Sequence, residues 1–173
     1  MVGEERLALF EAAVLPHLDA AYRLARWLTR SAPDAEDLVQ ECMLRAFTYF
    51  DSFRGADGRA WLLAIVRNSF YTSLRRGRSR TDVPFEEELH AEESPPDPET
   101  LLMRRVAAEE LGHAIEELPA AFREVLVLRE VEGLSYKEIA GVAAIPIGTV
   151  MSRLARARDL VKRKVAERAG REA

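Results

Sequence analysis

Apolar residues return at three- and four-residue intervals through most of the chain, the period of helices that bury one face. The stretch "EERLALFEAAVLPHLDAAYRLARWLTR", 4–30, predicts a helix that Pro16 kinks or breaks, with Leu15, Leu18, Tyr22, Ala25 and Leu28 near helical spacing. A second helix should start near Pro33, because proline suits a first turn and Asp34, Glu36 and Asp37 complement the positive helix end. On it Leu38, Cys42, Ala46 and Phe50, with Val39, Met43 and Phe47, make one broad apolar stripe opposite Asp34, Asp37 and Glu41. After the loop "DSFRGADG" a third helix runs from about Arg59 to Arg76, its inward face Leu62, Leu63, Val66, Phe70 and Leu74.

The helical period then stops. "TDVPFEEELHAEESPPDPE", 81–99, holds eight acids, no Lys or Arg, and Pro84, Pro95, Pro96 and Pro98, which predicts a poorly ordered linker. This divides the chain into residues 1–78, a linker over 79–99, and residues 100–173. About 20 extended residues reach roughly 65 to 70 Å, so the two halves can act on distant sites. In the second half the pattern predicts a helix from about Pro98 to Glu117, another starting at Pro119 and ending by Gly133, and a third capped by Ser135 and Glu138 in an S-x-x-E box. Ile139 and Val142 face inward on that helix. A turn near Ala143 to Pro146 leads to a last helix reaching about Arg168.

The composition, 48% hydrophobic and 31% charged and rich in helix formers, supports an all-α class with two small helical domains. The net charge of −4 argues against a nucleic-acid binder until its distribution is read. Residues 53–80 carry seven arginines against Asp57 alone, and residues 145–171 carry eight basic residues against Asp159 and Glu167. Two basic zones separated by an acidic tether is the pattern that a function has to use. The lone Cys42 cannot form an internal disulfide and reads as core, and His17, His90 and His113 have no metal spacing, so no metal or other cofactor is expected. An acidic start and the absence of a long apolar run predict a cytoplasmic protein with no membrane insertion.

On the last helix Ile147, Val150, Leu154, Ala157 and Val161 share one arc, and Thr149, Ser152, Arg153 and Arg156 the opposite one. Two short helices joined by a tight turn, the second polar and basic near its start, suit a helix-turn-helix entering the major groove. An Arg-rich helix alone is more simply a solvated surface; the capping box, the bounded turn and the charge segregation together favour DNA. In the first half Trp61, Asn68, Tyr71 and Arg75 lie on the outer face of the third helix, after Phe53 in a basic loop. Rings interleaved with cations suit single-stranded DNA, where bases stack and arginines track the backbone. For Phe53 or Trp61 taken singly, completing the core is the simpler role.

"PDAEDLVQECMLRAF", "FDSFRGADGRAWLLAIVRNSFYTSLRR" and "LPAAFREVLVLREVEGLSYKEIAGVAAIPIGTVMSRLARAR" resemble regions 2 and 4 of the extracytoplasmic-function branch of bacterial sigma factors. The resemblance covers most of the chain apart from the linker and tails. It implies a subunit without catalysis of its own that joins RNA polymerase core, through its β′ and β subunits, directs it to promoter DNA, and is controlled by an anti-sigma factor. It casts Asp34, Asp37, Leu38, Gln40 and Glu41 as core-binding residues on a β′ coiled coil. Phe53 and Asn68 would line the pocket for a flipped −10 base, with Trp61, Tyr71 and Arg75 beside it. Thr149, Met151, Ser152, Arg153 and Arg156 would read the −35 element. Ala144 stands where many relatives have a turn glycine, so the turn must either avoid a left-handed conformation or strain an alanine. Met151 stands where many have Lys or Arg.

Two other classes remain open on the residues alone. A one-component regulator would pair the helix-turn-helix with a sensing or dimerising first half and bind a palindrome without polymerase. An enzyme between helical halves has no Ser/His/Asp set, phosphate loop or metal spacing to support it.

Overall fold

The computed structural model describes residues 2–55, 57–77 and 98–172. Helix α1 (Val2–Val14) runs into a 3-10 turn at Leu15–His17, where Pro16 breaks the ladder, and α2 (Leu18–Thr29) follows. Ser31 caps α3 (Ala32–Thr48) by accepting from the Asp34 amide, with Pro33 in its first turn as expected. After a 3-10 turn at Phe50–Ser52, Asp57 accepts from the Ala60 amide and starts α4 (Gly58–Arg75). The second half comprises α5 (Pro98–Glu116), α6 (Ala120–Leu126), a π-helical turn at Val127–Val131, α7 (Tyr136–Ala143) and α8 (Ile147–Glu172). Of the expected linker, 79–99, residues 79–97 lie outside the described residues, as does His90, and Pro98 and Glu99 already belong to α5.

In the first half α2, α3 and α4 pack around Ala21, Leu24, Leu28, Ala35, Cys42, Ala46, Leu62, Leu63 and Val66, all at or near complete burial. Gly58 permits α4 to start against α1. A Cβ there would stand 2.1 Å from the Ala13 carbonyl oxygen, so the residue is required by close backbone approach. In the second half Leu128, Leu134, Ile139, Val142, Val150, Leu154 and Ala157 form the core between α6, α7 and α8.

Several expected apolar positions face outward. Leu15 and Leu18 are exposed because the 3-10 turn rotates the arc, and Ala21 and Leu24 take the inward positions. Phe47 on α3, Leu74 at the end of α4 and Ile147 at the start of α8 are likewise exposed, Phe47 in part only, since Phe10 and Arg6 of α1 pack on its ring. The last helix is longer than expected, continuing past Arg168 to Glu172, and Arg168 pairs with Glu110 of α5 and with Glu117 just beyond its end.

The halves pack directly against each other. Helix α4 lies along α7, and α2 along α6 and the π-helical turn. Arg123, almost fully buried on α6, donates to the Leu118 oxygen (2.7 Å), the Glu116 oxygen (3.2 Å) and, across the boundary, the Leu28 oxygen (3.1 Å). It places a cation on the exposed carbonyls at the C-terminal ends of α5 and α2.

Candidate nucleic-acid interface

The recognition element is built on three local devices. Ser135 accepts from the Glu138 amide and Glu138 accepts from the Ser135 amide, both at 3.1 Å, which fixes where α7 starts. Ala144 ends α7 in the left-handed conformation at φ 53° and ψ 47°, the strained alternative. Pro146 then accepts at its carbonyl from Thr149 and Val150 and opens α8, which leaves α7 at 100°, within the range of DNA-binding helix pairs.

On α8 Val150, Leu154 and Ala157 are buried and Ser152 and Arg156 are exposed on the opposite side. Thr149 and Arg153 are half-buried at the edges of that polar face, and the Ser152 hydroxyl donates to the Thr149 oxygen. Met151 is exposed but stands about 140° round the helix from Arg156 and about 160° from Thr149 and Arg153, so it lies off the arc they share. It flanks Arg158 instead, whose guanidinium donates to Glu130 of the π-helical turn at 2.7 Å.

The first-half candidates divide in two. Phe53 and Trp61 pack on one another (ring centroids 5.1 Å) and on Phe50, which stands edge-on to Phe10. Each remains half-exposed, so the cluster is both a lid on the core and a ring surface at the start of α4. Asn68 and Arg75 are exposed on the outer face. Tyr71 points elsewhere: its hydroxyl donates to Glu124 of α6 at 3.2 Å while the Arg67 guanidinium lies 4.4 Å over its ring. Burial first, and Glu124 second, push the Tyr71 hydroxyl up to about 12.

On α3 Asp37 and Gln40 are exposed and Asp34 and Glu41 half-exposed, with Glu41 accepting from Arg45 at 2.6 Å. Leu38 is 5% exposed and turned into the core, so the structure separates it from the other four; being one residue from Asp37, it sits about 100° round the helix. Leu44, 71% exposed on the polar side, was missed by the sequence reading. Its signal was a leucine lying outside the apolar arc.

Also missed was the set that joins the halves. Arg67 donates to Glu124 at 2.6 Å, Arg23 donates to both oxygens of Glu132 at 2.8 and 3.1 Å, and Arg59 donates to the Glu132 carbonyl at 3.0 Å. Burial raises the Glu124 carboxyl above its ordinary range, against the pull of Arg67. No cluster of His, Cys, Asp and Glu able to hold a metal occurs among the described residues, and no single described helix is long and apolar enough to cross a membrane.

The chain matches the family model "Sigma-70 region 2" over residues 13–81 and "Sigma-70, region 4" over residues 108–161. It is 34% identical over 155 residues to the ECF RNA polymerase sigma-E factor of Escherichia coli, covering 83% of this chain and 81% of that protein. The chain belongs to the extracytoplasmic-function sigma-factor family. It is also 34% identical over 154 residues to the ECF RNA polymerase sigma factor SigE of Mycolicibacterium smegmatis, of whose length it spans 60%. Among solved structures it is similar to the sigma factor RpoE of Bartonella quintana, captured with the anti-sigma factor NepR, at a TM-score of 0.71 and 30% identity, covering 91% of this chain and 96% of that one. The matched residues take in the first basic zone, 53–80, and the part of the second from 145 to 161.

Proposed function

We propose that this sigma factor joins RNA polymerase core in the cytoplasm and directs it to promoters, with residues 1–78 engaging core and the −10 element and residues 100–173 the −35 element. The observation that carries the reading is the polar face of α8, with Ser152 and Arg156 exposed on a helix held rigidly at 100° to α7. Arg156 reads a base edge in the major groove, while Thr149, Ser152 and Arg153 set the helix against the backbone. Asp34, Asp37, Gln40 and Glu41 present carboxylates and an amide to β′, and Leu38 supports them from beneath. At the −10 element, Asn68 and the Phe53–Trp61 rings hold an unpaired base; stacking at roughly 1 to 3 kcal/mol per base offsets the cost of unpairing. Initiation thus runs on binding energy, with no bond made or broken by this chain. An anti-sigma factor that covers these faces controls it.

Run-off transcription with bacterial core polymerase on pooled promoter fragments tests the reading. New start sites sharing spaced −35 and −10 elements are expected, and Arg156→Ala should lower −35 affinity by about 1 to 3 kcal/mol. Asn68→Ala should reduce open-complex formation and leave duplex −35 binding intact. Polymerase-independent binding to a palindrome, with no new start sites, would favour a one-component regulator instead.

A further inference from the structure

Helix α8 carries two unlike rows on its outer side. Val150, Leu154 and Ala157 set its buried face, and at about 100° per residue the direction opposite that face passes close to Ser152. Arg156 lies about 50° from this direction on one side and Ala155 about 50° on the other, and both are exposed. The Arg156 side is the polar face described above. The Ala155 side is apolar: Ile147, Met151 and Ala155 follow at intervals of four in one row, and Met151 is 52% exposed. A helix about 10 to 12 Å across fills a major groove about 12 Å wide. Docking that brings Ser152 and Arg156 to base edges therefore brings Ala155 and Met151 to them as well.

Two neighbours define the chemistry of the apolar side. Arg158, seven residues beyond Met151 and on the same side of the helix, is held by Glu130, to which its Nε donates at 3.2 Å and its Nη2 at 2.7 Å. That pairing leaves the thioether, not a guanidinium, to meet a base there. Gly148 lies between the two rows, and a Cβ on it would meet nothing within 4 Å. Glycine weakens a helix relative to alanine, and packing among the described residues does not call for one at this position. Open room at the start of α8 suits close approach by a base pair.

We propose that Met151 and Ala155 form an apolar reading edge that specifies thymine in the −35 duplex by covering its C5-methyl group. The inference rests on the −35 reading above and deepens it. Of the four bases only thymine carries a methyl group on its major-groove edge, and the other three present polar atoms that an apolar side chain leaves unpaired. Cβ atoms four residues apart on a helix stand about 5 to 6 Å from each other, against about 3.4 Å per base step, so the two residues cover thymines one or two steps apart. Methionine suits this task because its unbranched, polarizable side chain adapts to the position of the methyl group. Arg156 on the polar row reads a guanine edge, and the element recognised combines guanine with neighbouring thymines.

Holoenzyme assembled from bacterial core polymerase and the full-length chain, as wild type, Met151→Ala or Met151→Arg, is equilibrated with a duplex promoter pool randomised over both elements, and the bound molecules are sequenced. The wild type should select thymine at one or two neighbouring −35 positions, and Met151→Arg should move the preference at one of them to guanine. That thymine is then replaced by deoxyuridine, which lacks only the methyl group. Wild-type holoenzyme should bind the deoxyuridine duplex about fourfold more weakly, the factor that burying one methyl-sized group supplies, and Met151→Ala should bind the two duplexes alike. Equal binding of both duplexes by the wild type would overturn the apolar edge, and this comparison needs no variant, so it decides the matter even where a substitution disturbs α8. An upstream element without a selected thymine, or a methyl effect undiminished in Met151→Ala, would also overturn it while leaving −35 recognition in place. Selection of no upstream element by any of the three proteins would instead overturn the −35 reading itself.

Discussion

Ala144 sits at φ 53° and ψ 47° in the corner of the helix-turn-helix, a conformation that costs an alanine about 1 to 2 kcal/mol and glycine almost nothing. Glycine repays part of that gain through its larger unfolded-state entropy. Ala144→Gly should therefore raise the unfolding free energy by about 0.5 to 1 kcal/mol, read as a higher urea midpoint at constant slope. The cost is tolerated because Ile145 donates to the Ala140 oxygen and the buried faces of α7 and α8 fix the turn from both sides. Cys42 behaves in the opposite way, as a thiol kept neutral. Burial pushes it up to about 11, and the thiol donates to the Ile65 carbonyl oxygen at 3.9 Å. Because the folded value lies above the unfolded one, this contribution to stability is complete below about pH 8.5 and is lost as pH rises toward 11. A thiol reagent at about pH 8 should leave the native protein unmodified and react only at the rate of unfolding. The urea midpoint should fall between about pH 9 and 11, by less in Cys42→Ala.

At the scale of elements, close approach and caps set the geometry. Gly58→Ala would place a methyl against the Ala13 oxygen, and α4 has to move away from α1 to admit it. A loss of about 1 to 3 kcal/mol is expected, the cost typical of overpacking, seen as a lower melting temperature by circular dichroism. Since Phe10 of α1 stands edge-on to Phe50, the same shift should loosen the Phe50–Phe53–Trp61 cluster and lower −10 affinity. Local signals such as the S-x-x-E box, Pro16 and Pro33 were legible because each acts within a turn of itself. Leu15, Leu18, Leu74 and Ile147 were misread, because periodicity reports which residues share a face and not how far along the helix its neighbour extends. The π-helical turn at Val127–Val131 carries no sequence signature of its own. It re-aims Glu130 and Glu132 toward Arg158 and Arg23.

Across the whole molecule, a few arginines tie the two halves into one body. Arg123 is the most buried of them, and its replacement by Leu strips cationic donors from the Leu118, Glu116 and Leu28 oxygens. Arg123→Leu should cost about 3 kcal/mol, a typical loss for buried charged hydrogen bonds. Calorimetry should then show the halves melting separately where the wild type melts once. A single transition at the wild-type temperature would contradict this role.

The sequence by itself determined the all-α class, most helix boundaries, the capped helix-turn-helix and the two basic zones, because these follow from periodicity, capping and charge within a few residues. It also supplied the outward faces bearing Asn68, Arg156, Asp37 and Gln40. Only the tertiary structure decided that Tyr71 turns to Glu124 and that Arg23 and Arg67 pair with Glu132 and Glu124. Each of those depends on a partner element distant in the chain. Nothing local separates the buried Glu124 from the exposed Glu130: both are acids within one helical stretch, and only the α4 surface, more than fifty residues earlier, brings Arg67 and Tyr71 against the first.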